Sequence, residues 1–388
     1  MNSVRISSSE QSSAAVHVAQ ISFFQDPQRR SAAELLVAWP TMAEVAEAAH
    51  GAGARVSVIQ ACSQTRTLTQ QGVSYHFLAP DDAASRLSTS APFRQLLRNL
   101  QPNVLHVHSL GAPKDVAALS ELAPGIPILL QDHADGVPRF WRRGAWRAGF
   151  SKAAALSFSS RRLAEPFRKA NLLGPAMKIF EIPESTTRFS PGDQAEARRL
   201  TGLHGDPCLL WVGHLNANKD PLTVLAGLSK AVERFPNLQL WCAYIAAPLL
   251  AQVERCIRED PRLRPRVHLL GPAGRERVQQ LMRATDLFIL GSHSESCGYA
   301  LLEAMASGVA PIVPDIPSFR SLTGYGTVGR LWTRGESESL ARALELLWSN
   351  PPADLRARVR AYFERELSFA ALGRKLLYAY EQLLTGSG

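Results

Sequence analysis

Cysteine is scarce: five in 388 residues, at positions 62, 208, 242, 256 and 297. The number is odd, the spacing is wide and no C-x-x-C pair occurs. That argues against a disulfide framework or a cysteine-based zinc site and fits reduced thiols. No apolar run reaches the ~18 residues that cross a bilayer. The opening MNSVRISSSEQSSAA is polar and serine-rich and lacks the apolar core of a signal peptide. The expectation is a cytoplasmic protein, with attachment to the cytoplasmic face of a membrane left open. No internal repeat occurs, and no Asp-x-Asp follows a strand, so no metal site is expected; the adjacent pair Asp81 and Asp82 reads as solvated loop. Hydrophobic residues at 46% and charged residues at 20% are ordinary globular usage, which excludes wholesale disorder and fibrous architecture.

Positive charge, by contrast, is in excess: Lys and Arg number 43 against 34 Asp and Glu, for a net charge of +9. Residues 138–170 alone carry nine basic side chains against the single acid Glu165. There Phe140, Trp141, Trp146 and Phe150 interleave with Arg139, Arg142, Arg143, Arg147 and Lys152. Such a stretch suits nucleic acid, an anionic membrane surface or an anionic acceptor, or a helix whose aromatics pack inward while its arginines are solvated. No nucleic-acid module accompanies it, so no nucleic-acid partner is expected.

Short apolar runs alternate with helical stretches throughout. In the first half the runs are residues 17–24, 55–61, 74–78, 104–108, 126–131 and 154–159; in the second they are 208–212, 239–243, 266–270, 286–290 and 310–313. That alternation indicates parallel sheets covered on both faces. Two series of this length imply an α/β fold of two Rossmann-like domains facing a central cleft. The polar, Pro- and Gly-broken segment 182–205 marks the boundary, giving domains at 1–190 and 191–365. A final amphipathic helix in 366–388, with Phe369, Leu372, Leu376, Leu377 and Tyr380 on one face, needs a groove and is expected to pack back across the first domain.

The most informative segment is TDLFILGSHSESCGYALLEAMASGVAPIV, residues 285–313, which parses as strand, loop, helix and strand. Its loop lies at the carboxyl end of a parallel strand and just before a helix N-terminus, where open α/β sheets bind ligands. Amides around Cys297, Gly298 and Tyr299 together with the helix dipole favour an anion such as phosphate. Glu295 and Glu303 stand eight residues apart, and two carboxylates beside an anion site suit neutral hydroxyls, as of a sugar and a ribose. The plain alternative is a helix cap and a solvated face. The segment resembles the E-x7-E motif of retaining, nucleotide-sugar-dependent glycosyltransferases of family 4 (group 1), which have the two-Rossmann GT-B fold. The resemblance implies that Glu295 holds the donor sugar, that Ser296, Cys297, Gly298 and Tyr299 hold the phosphates, and that Glu303 holds the ribose.

A second segment, residues 209–231, reads as strand, turn at Gly213, loop, then a helix capped by Asp220 and opened by Pro221. Lys219 precedes that helix and can reach a diphosphate as a mobile point charge. The resemblance places an arginine and a lysine on the leaving nucleotide diphosphate; here His214 stands where the arginine is usual. A neutral histidine donates one hydrogen bond but supplies no permanent charge, so leaving-group stabilisation rests on Lys219, or His214 is protonated. In the first half, residues 104–111 and 128–137 look like the acceptor-side segments of the family. His133 falls where such enzymes keep a histidine facing acceptor and donor sugar, and His108 is a further acceptor-side candidate, with Arg142, Arg143 and Arg147 beyond. His106 reads as packed. The loop after the first strand lacks the family's Gly-Gly pair, so Arg29 or Arg30 is expected to serve the phosphates instead.

The reading is a metal-independent, retaining hexosyltransferase without a cofactor. Its donor is a nucleotide diphosphate sugar and its acceptor a glycan or lipid-linked hydroxyl, as in glycolipid or cell-surface polysaccharide synthesis. Alternatives are a nucleotide-sugar epimerase or phosphorylase on the same scaffold, or a catalytically silent module that binds a sugar nucleotide or a membrane surface.

Overall fold

The computed structural model describes residues 15–79 and 86–386. The serine-rich opening up to residue 14 and the pair Asp81 and Asp82 lie outside the described residues. The first sheet has eight strands: β1 (His17–Ser22), β2 (Arg55–Ala61), β3 (Arg66–Gln70), β4 (Val73–Leu78), β5 (Val104–His108), β6 (Ile128–Gln131), β7 (Ala155–Phe158) and β8 (Lys178–Glu181). Their order is β3-β4-β2-β1-β5-β6-β7-β8, and all neighbours are parallel except the β3–β4 pair. The second sheet contains β9 (Cys208–Val212), β10 (Gln239–Ala243), β11 (Val267–Gly271), β12 (Leu287–Ile289), β13 (Ala310–Pro314) and β14 (Arg330–Trp332), all parallel in the order β11-β10-β9-β12-β13-β14. Parallel strands need crossover connections, here mostly helical, that bury both faces, so β1 and β5 are buried along their whole length.

Three strands have no counterpart among the apolar runs. RTLTQ of β3 is polar and mostly exposed because it is an antiparallel edge. It is folded back by a turn in which Gln71 and Gly72 both take positive φ, +50° and +78°, the geometry of tight hairpins. β8 and β14 are short outer strands with a neighbour on one side only. The polar segment 182–205 is also more ordered than a linker: Gln194–Thr201 is a helix capped by Asp193, and its Arg198 pairs with Asp286 at 2.8 Å beside β12. Among the described residues no helix is long and apolar enough to cross a membrane.

The C-terminal helix Phe369–Thr385 leaves the second sheet and joins the core of the first. Leu372, Leu376, Ala379, Tyr380 and Leu383 are buried among Val18, Val45, Ala49, Val56 and Val104. Phe369 and Leu377 pack at the edge of this cluster. The helix also covers a polar stripe. Gln20 is register partner of His106, His108 of Gln131, and Gln131 of Ser157. With a side-chain period of two, all five face the same way, and all are buried. Tyr380 enters this stripe from above; its hydroxyl lies 2.8 Å from His106 Nδ1 and 3.2 Å from Gln20 Nε2. Burial, reinforced by His133, pushes the His106 imidazole down to about 3, so it is neutral.

Close approach of the helix depends on Gly373, where a Cβ would sit 2.1 Å from the Ala48 carbonyl oxygen. Replacing a mid-helix glycine by alanine ordinarily stabilises by about 0.5–1 kcal/mol. Gly373→Ala is expected to do the reverse, destabilising by about 1–3 kcal/mol as the helix is pushed off its groove. Urea unfolding checks the sign, and a variant as stable as wild type or more so would refute this packing.

Candidate active site

The site forms at the carboxyl edge of the second sheet, where the loops after β9 and β12 lie side by side. Hydrogen bonds lace them together: His293 N–H donates to the Asn218 carbonyl at 2.7 Å, and Asn218 Nδ2 donates to the Ser294 carbonyl at 3.1 Å. Asp220 serves both loops. One carboxylate oxygen caps the helix Pro221–Ala231 by accepting from Thr223 N–H at 3.1 Å, and the other lies 3.1 Å from His293 Nε2. Lys219 and Glu295 are thereby brought into an ion pair with both side chains mostly buried. They line a cavity of about 490 Å³ together with Gly213, His214, Ser296, Cys297, Gly298, Tyr299 and Glu303. Every residue that the two second-half motifs assign to the donor thus borders one space.

The helix Tyr299–Ala306 points its N-terminus at this cavity, and its first turn has no side-chain cap. Gly298 turns the chain into it with φ +65°, a conformation in which a Cβ would also meet the Phe319 ring at 2.9 Å. Burial raises the Cys297 thiol far above its ordinary range, so this cysteine is an inert wall rather than a nucleophile. Glu303 is half-buried, and burial raises its carboxyl to about 7 although Arg275 pulls the other way. His214 Nδ1 accepts from the Ala246 amide at 3.2 Å. A nitrogen that accepts carries no hydrogen, which leaves Nε2–H as the ring's donor. Protonation of His214, one of the two expectations for it, would cost that bond.

His133 and His108 lie outside this cavity, in a chain of polar contacts that ends beside it. Glu184 Oε2 accepts from Ser296 Oγ at 3.4 Å, and its other oxygen meets His133 Nδ1 at 3.0 Å. His133 Nε2 lies 3.0 Å from His108 Nδ1, and His108 Nε2 lies 3.3 Å from Gln20 Oε1. Gln20 then reaches Tyr380 of the C-terminal helix. Burial pushes the His108 imidazole well below its ordinary range, helped by His106 and His133. Both ring nitrogens of His133 are occupied, so its ring offers no free nitrogen to an incoming hydroxyl. His108 is buried and meets His133 rather than the cavity.

The three acceptor-side arginines separate. Arg142 borders a different cavity, Arg143 Nε reaches the Pro138 carbonyl at 3.5 Å, and Arg147 Nε donates to the Asn171 carbonyl at 2.9 Å. Trp146 and Phe150 are core residues, whereas Phe140 and Trp141 remain 75% and 62% exposed, so the helix-packing reading holds for only half of the aromatics. Arg30 is paired with Asp26 at 3.3 Å and lies over Trp39. Neither Arg29 nor Arg30 borders the donor cavity, which corrects the expectation that they replace the missing glycines. Three residues at the site carried no motif signal: Glu184, Tyr244 and Arg275. Arg275 opens a helix after β11, which was the available hint.

Residues 40–173 match the family described as Glycosyltransferase Family 4, and residues 193–365 match Glycosyl transferases group 1. A D-inositol 3-phosphate glycosyltransferase of Nocardia farcinica is 29% identical over 205 residues, which are 51% of this chain and 46% of that protein. The alignment therefore spans less than half of that relative's length. A GDP-mannose:cellobiosyl-diphosphopolyprenol alpha-mannosyltransferase of Xanthomonas oryzae is 24% identical over 254 residues, 63% of this chain and 64% of that one. The structure of an Anabaena protein in complex with UDP and glucose is similar with a TM-score of 0.62 at 17% identity, covering 93% of this chain and 98% of that one. These two glycosyltransferase segments together make up most of the chain, and the fold they share with the solved structures is GT-B.

Proposed function

We propose that this chain moves a sugar from a nucleotide diphosphate sugar to an acceptor hydroxyl, with retention of anomeric configuration and without a metal ion. The observation that carries the reading is the convergence of Lys219, Glu295, Glu303 and an uncapped helix N-terminus on one cavity. The diphosphate takes Lys219 from Glu295 and settles on the amides near Gly298 and Tyr299. Glu295, released, accepts hydrogen bonds from the sugar hydroxyls, and Glu303 accepts from the ribose. As the sugar–phosphate bond breaks, charge on the leaving diphosphate is met by Lys219, the helix amides and the His214 Nε2–H. The acceptor enters from the side of His133; its oxygen bonds to the anomeric carbon as the phosphate oxygen departs, and that phosphate oxygen takes the hydroxyl proton. Support for a nucleotide donor also comes from the names of similar proteins, one using GDP-mannose and one bound to UDP and glucose. The same comparison supports a glycan or lipid-linked acceptor. Exposed Phe140 and Trp141, with Arg139 over the Trp141 ring, suit an acceptor presented at an anionic membrane surface.

Two experiments test the donor site. Thermal shift with UDP-, GDP- and ADP-sugars is expected to show stabilisation by at least one; none at all would favour a silent module. Glu295→Ala and Lys219→Ala are each expected to lower sugar transfer by about 100-fold or more while the chain stays folded, with a melting temperature lowered by the charge left without its partner. Near-normal turnover in either variant would sink the assignment.

Glu303 provides a pH test. Ribose hydroxyls donate, so binding selects the carboxylate, whereas the free site holds a proton up to about pH 7. Affinity for a nucleotide sugar should therefore rise by up to about tenfold per pH unit below about 7 and level off above it. The unliganded fold has the opposite trend: its carboxyl binds the proton more tightly than the unfolded chain does, so this group's stability contribution is lost as pH rises from 4.5 through about 7. Titration calorimetry of wild type and Glu303→Gln across this range is the check; an unchanged slope in the variant would exclude Glu303 as its source.

A further inference from the structure

The residues that follow Glu295 are tied to the first half of the chain by four contacts among the described residues. Ser159 Oγ donates to the Ser296 carbonyl, and Ser296 Oγ donates to Glu184 at 3.4 Å. Cys297 Sγ donates to the Ser185 carbonyl at 3.7 Å, and the Tyr299 hydroxyl lies 3.4 Å from Thr41 Oγ1. Of these partners Glu184 alone also meets His133, with its other oxygen 3.0 Å from Nδ1. Its side chain is 15% exposed, and a carboxylate so far from water needs partners for both oxygens. A carboxylate accepts at both, whereas an amide of the same shape accepts at one and donates at the other. Glu184 does not border the donor cavity, but Ser296 does. The carboxylate therefore stands behind the loop that a donor would touch.

The main chain of His133 is held separately. Its amide donates to Asp135 Oδ2 at 3.2 Å, and the same carboxylate accepts from the Leu110 amide at 2.7 Å and from Ser109 Oγ at 2.9 Å. What remains for Glu184 to set is the direction of the ring, whose other nitrogen meets His108. We propose that Glu184 is a positioning residue for sugar transfer: one oxygen holds the His133 ring, the other holds Ser296, and the acceptor side is thereby kept in register with the loop that carries Glu295. The proposal rests on the transferase reading and adds to it the group through which donor binding is felt on the acceptor side. Transfer depends on that register because misplacing reacting groups by about 1 Å costs on the order of 100-fold in rate. The Ser296 contact is the longer of the two, so it is the one that changes when a ligand settles on the amides near Gly298 and Tyr299, and the carboxylate then shifts against His133.

The test uses the full chain labelled with ¹⁵N-histidine, with the His133 imidazole assigned by His133→Gln. UDP, GDP and ADP are titrated in while calorimetry reports affinity. In wild type the nucleotide that binds is expected to move the His133 resonance to saturation. Glu184→Gln, which keeps the shape but accepts at one end only, should bind that nucleotide within about threefold of wild type and leave His133 unmoved. Ser296→Ala should silence His133 in the same way, and Ser296→Thr, which keeps the hydroxyl, should preserve its response. In sugar transfer Glu184→Gln is expected to lose kcat by about tenfold or more at a donor KM within about threefold of wild type, a split that general loss of stability does not produce. A His133 resonance that follows the nucleotide in Glu184→Gln as it does in wild type overturns the proposal. So does an unchanged kcat, or a donor affinity that falls together with the melting temperature. Binding of a nucleotide that leaves His133 unmoved in wild type removes the role of Glu184 and keeps the donor site. Binding of none of the three removes the transferase reading and this proposal with it.

Discussion

Lys219 and Glu295 form the contact on which the rest of the donor site depends. Each is mostly buried, and a charge in that position is costly unless a partner stands close. The pair is affordable only because two loops from different strands are held in register by Asn218, Asp220 and His293. A ligand that offers an anion to Lys219 and hydroxyls to Glu295 replaces one satisfied pairing with two. An anion without hydroxyls would leave Glu295 buried and unpaired. Under the proposed transfer, that asymmetry would favour a sugar diphosphate over phosphate alone.

A second polar line runs from this site into the other domain. Glu184, His133, His108, Gln20 and Tyr380 are linked in sequence, and the last belongs to a helix that begins beyond the second sheet. A neutral imidazole donates at one nitrogen only, so the contacts of His108 and of His133 are not independent. With Gln20 turning its oxygen to His108, His108 carries its hydrogen on Nε2 and presents Nδ1 to His133. Glu184 meets the other ring nitrogen of His133. Ser296 touches the same carboxylate, and Ser159 Oγ donates to the Ser296 carbonyl, so the loop bearing Glu295 is braced by the first domain. Packing of the C-terminal helix and the position of the donor loop are thus parts of one hydrogen-bonded structure.

Much of this was legible in the residues, for identifiable reasons. The strands at 55–61, 104–108, 208–212 and 239–243 were legible because fully buried parallel strands are written as unbroken apolar runs. The helices at 221–231 and 299–306 carried caps and stops: Asp220 with Pro221, and Ser307 with Gly308. The C-terminal helix announced its buried face by spacing alone. What escaped were features made by long-range pairing. β3 is polar because only one edge of it is bonded, Glu184 has no motif around it, and the alternating His106 and His108 gained a meaning only when Gln20 and Tyr380 arrived from 86 and 274 residues away. The missing Gly-Gly pair misled in the opposite direction, because Asp26 and Trp39 already occupy the guanidinium proposed as its substitute.

The basic stretch shows how little a local charge sum says before the fold is known. Its nine cations fall near one another in sequence, yet Arg143 and Arg147 spend their hydrogen bonds on backbone carbonyls, the ordinary use of an exposed guanidinium. Arg142 alone of the three joins Arg86 and Lys114, residues 56 and 28 positions earlier, around one cavity. The charge density that matters is therefore assembled by the connections between β5, β6 and the helix Arg143–Phe150, rather than by the composition of any one segment.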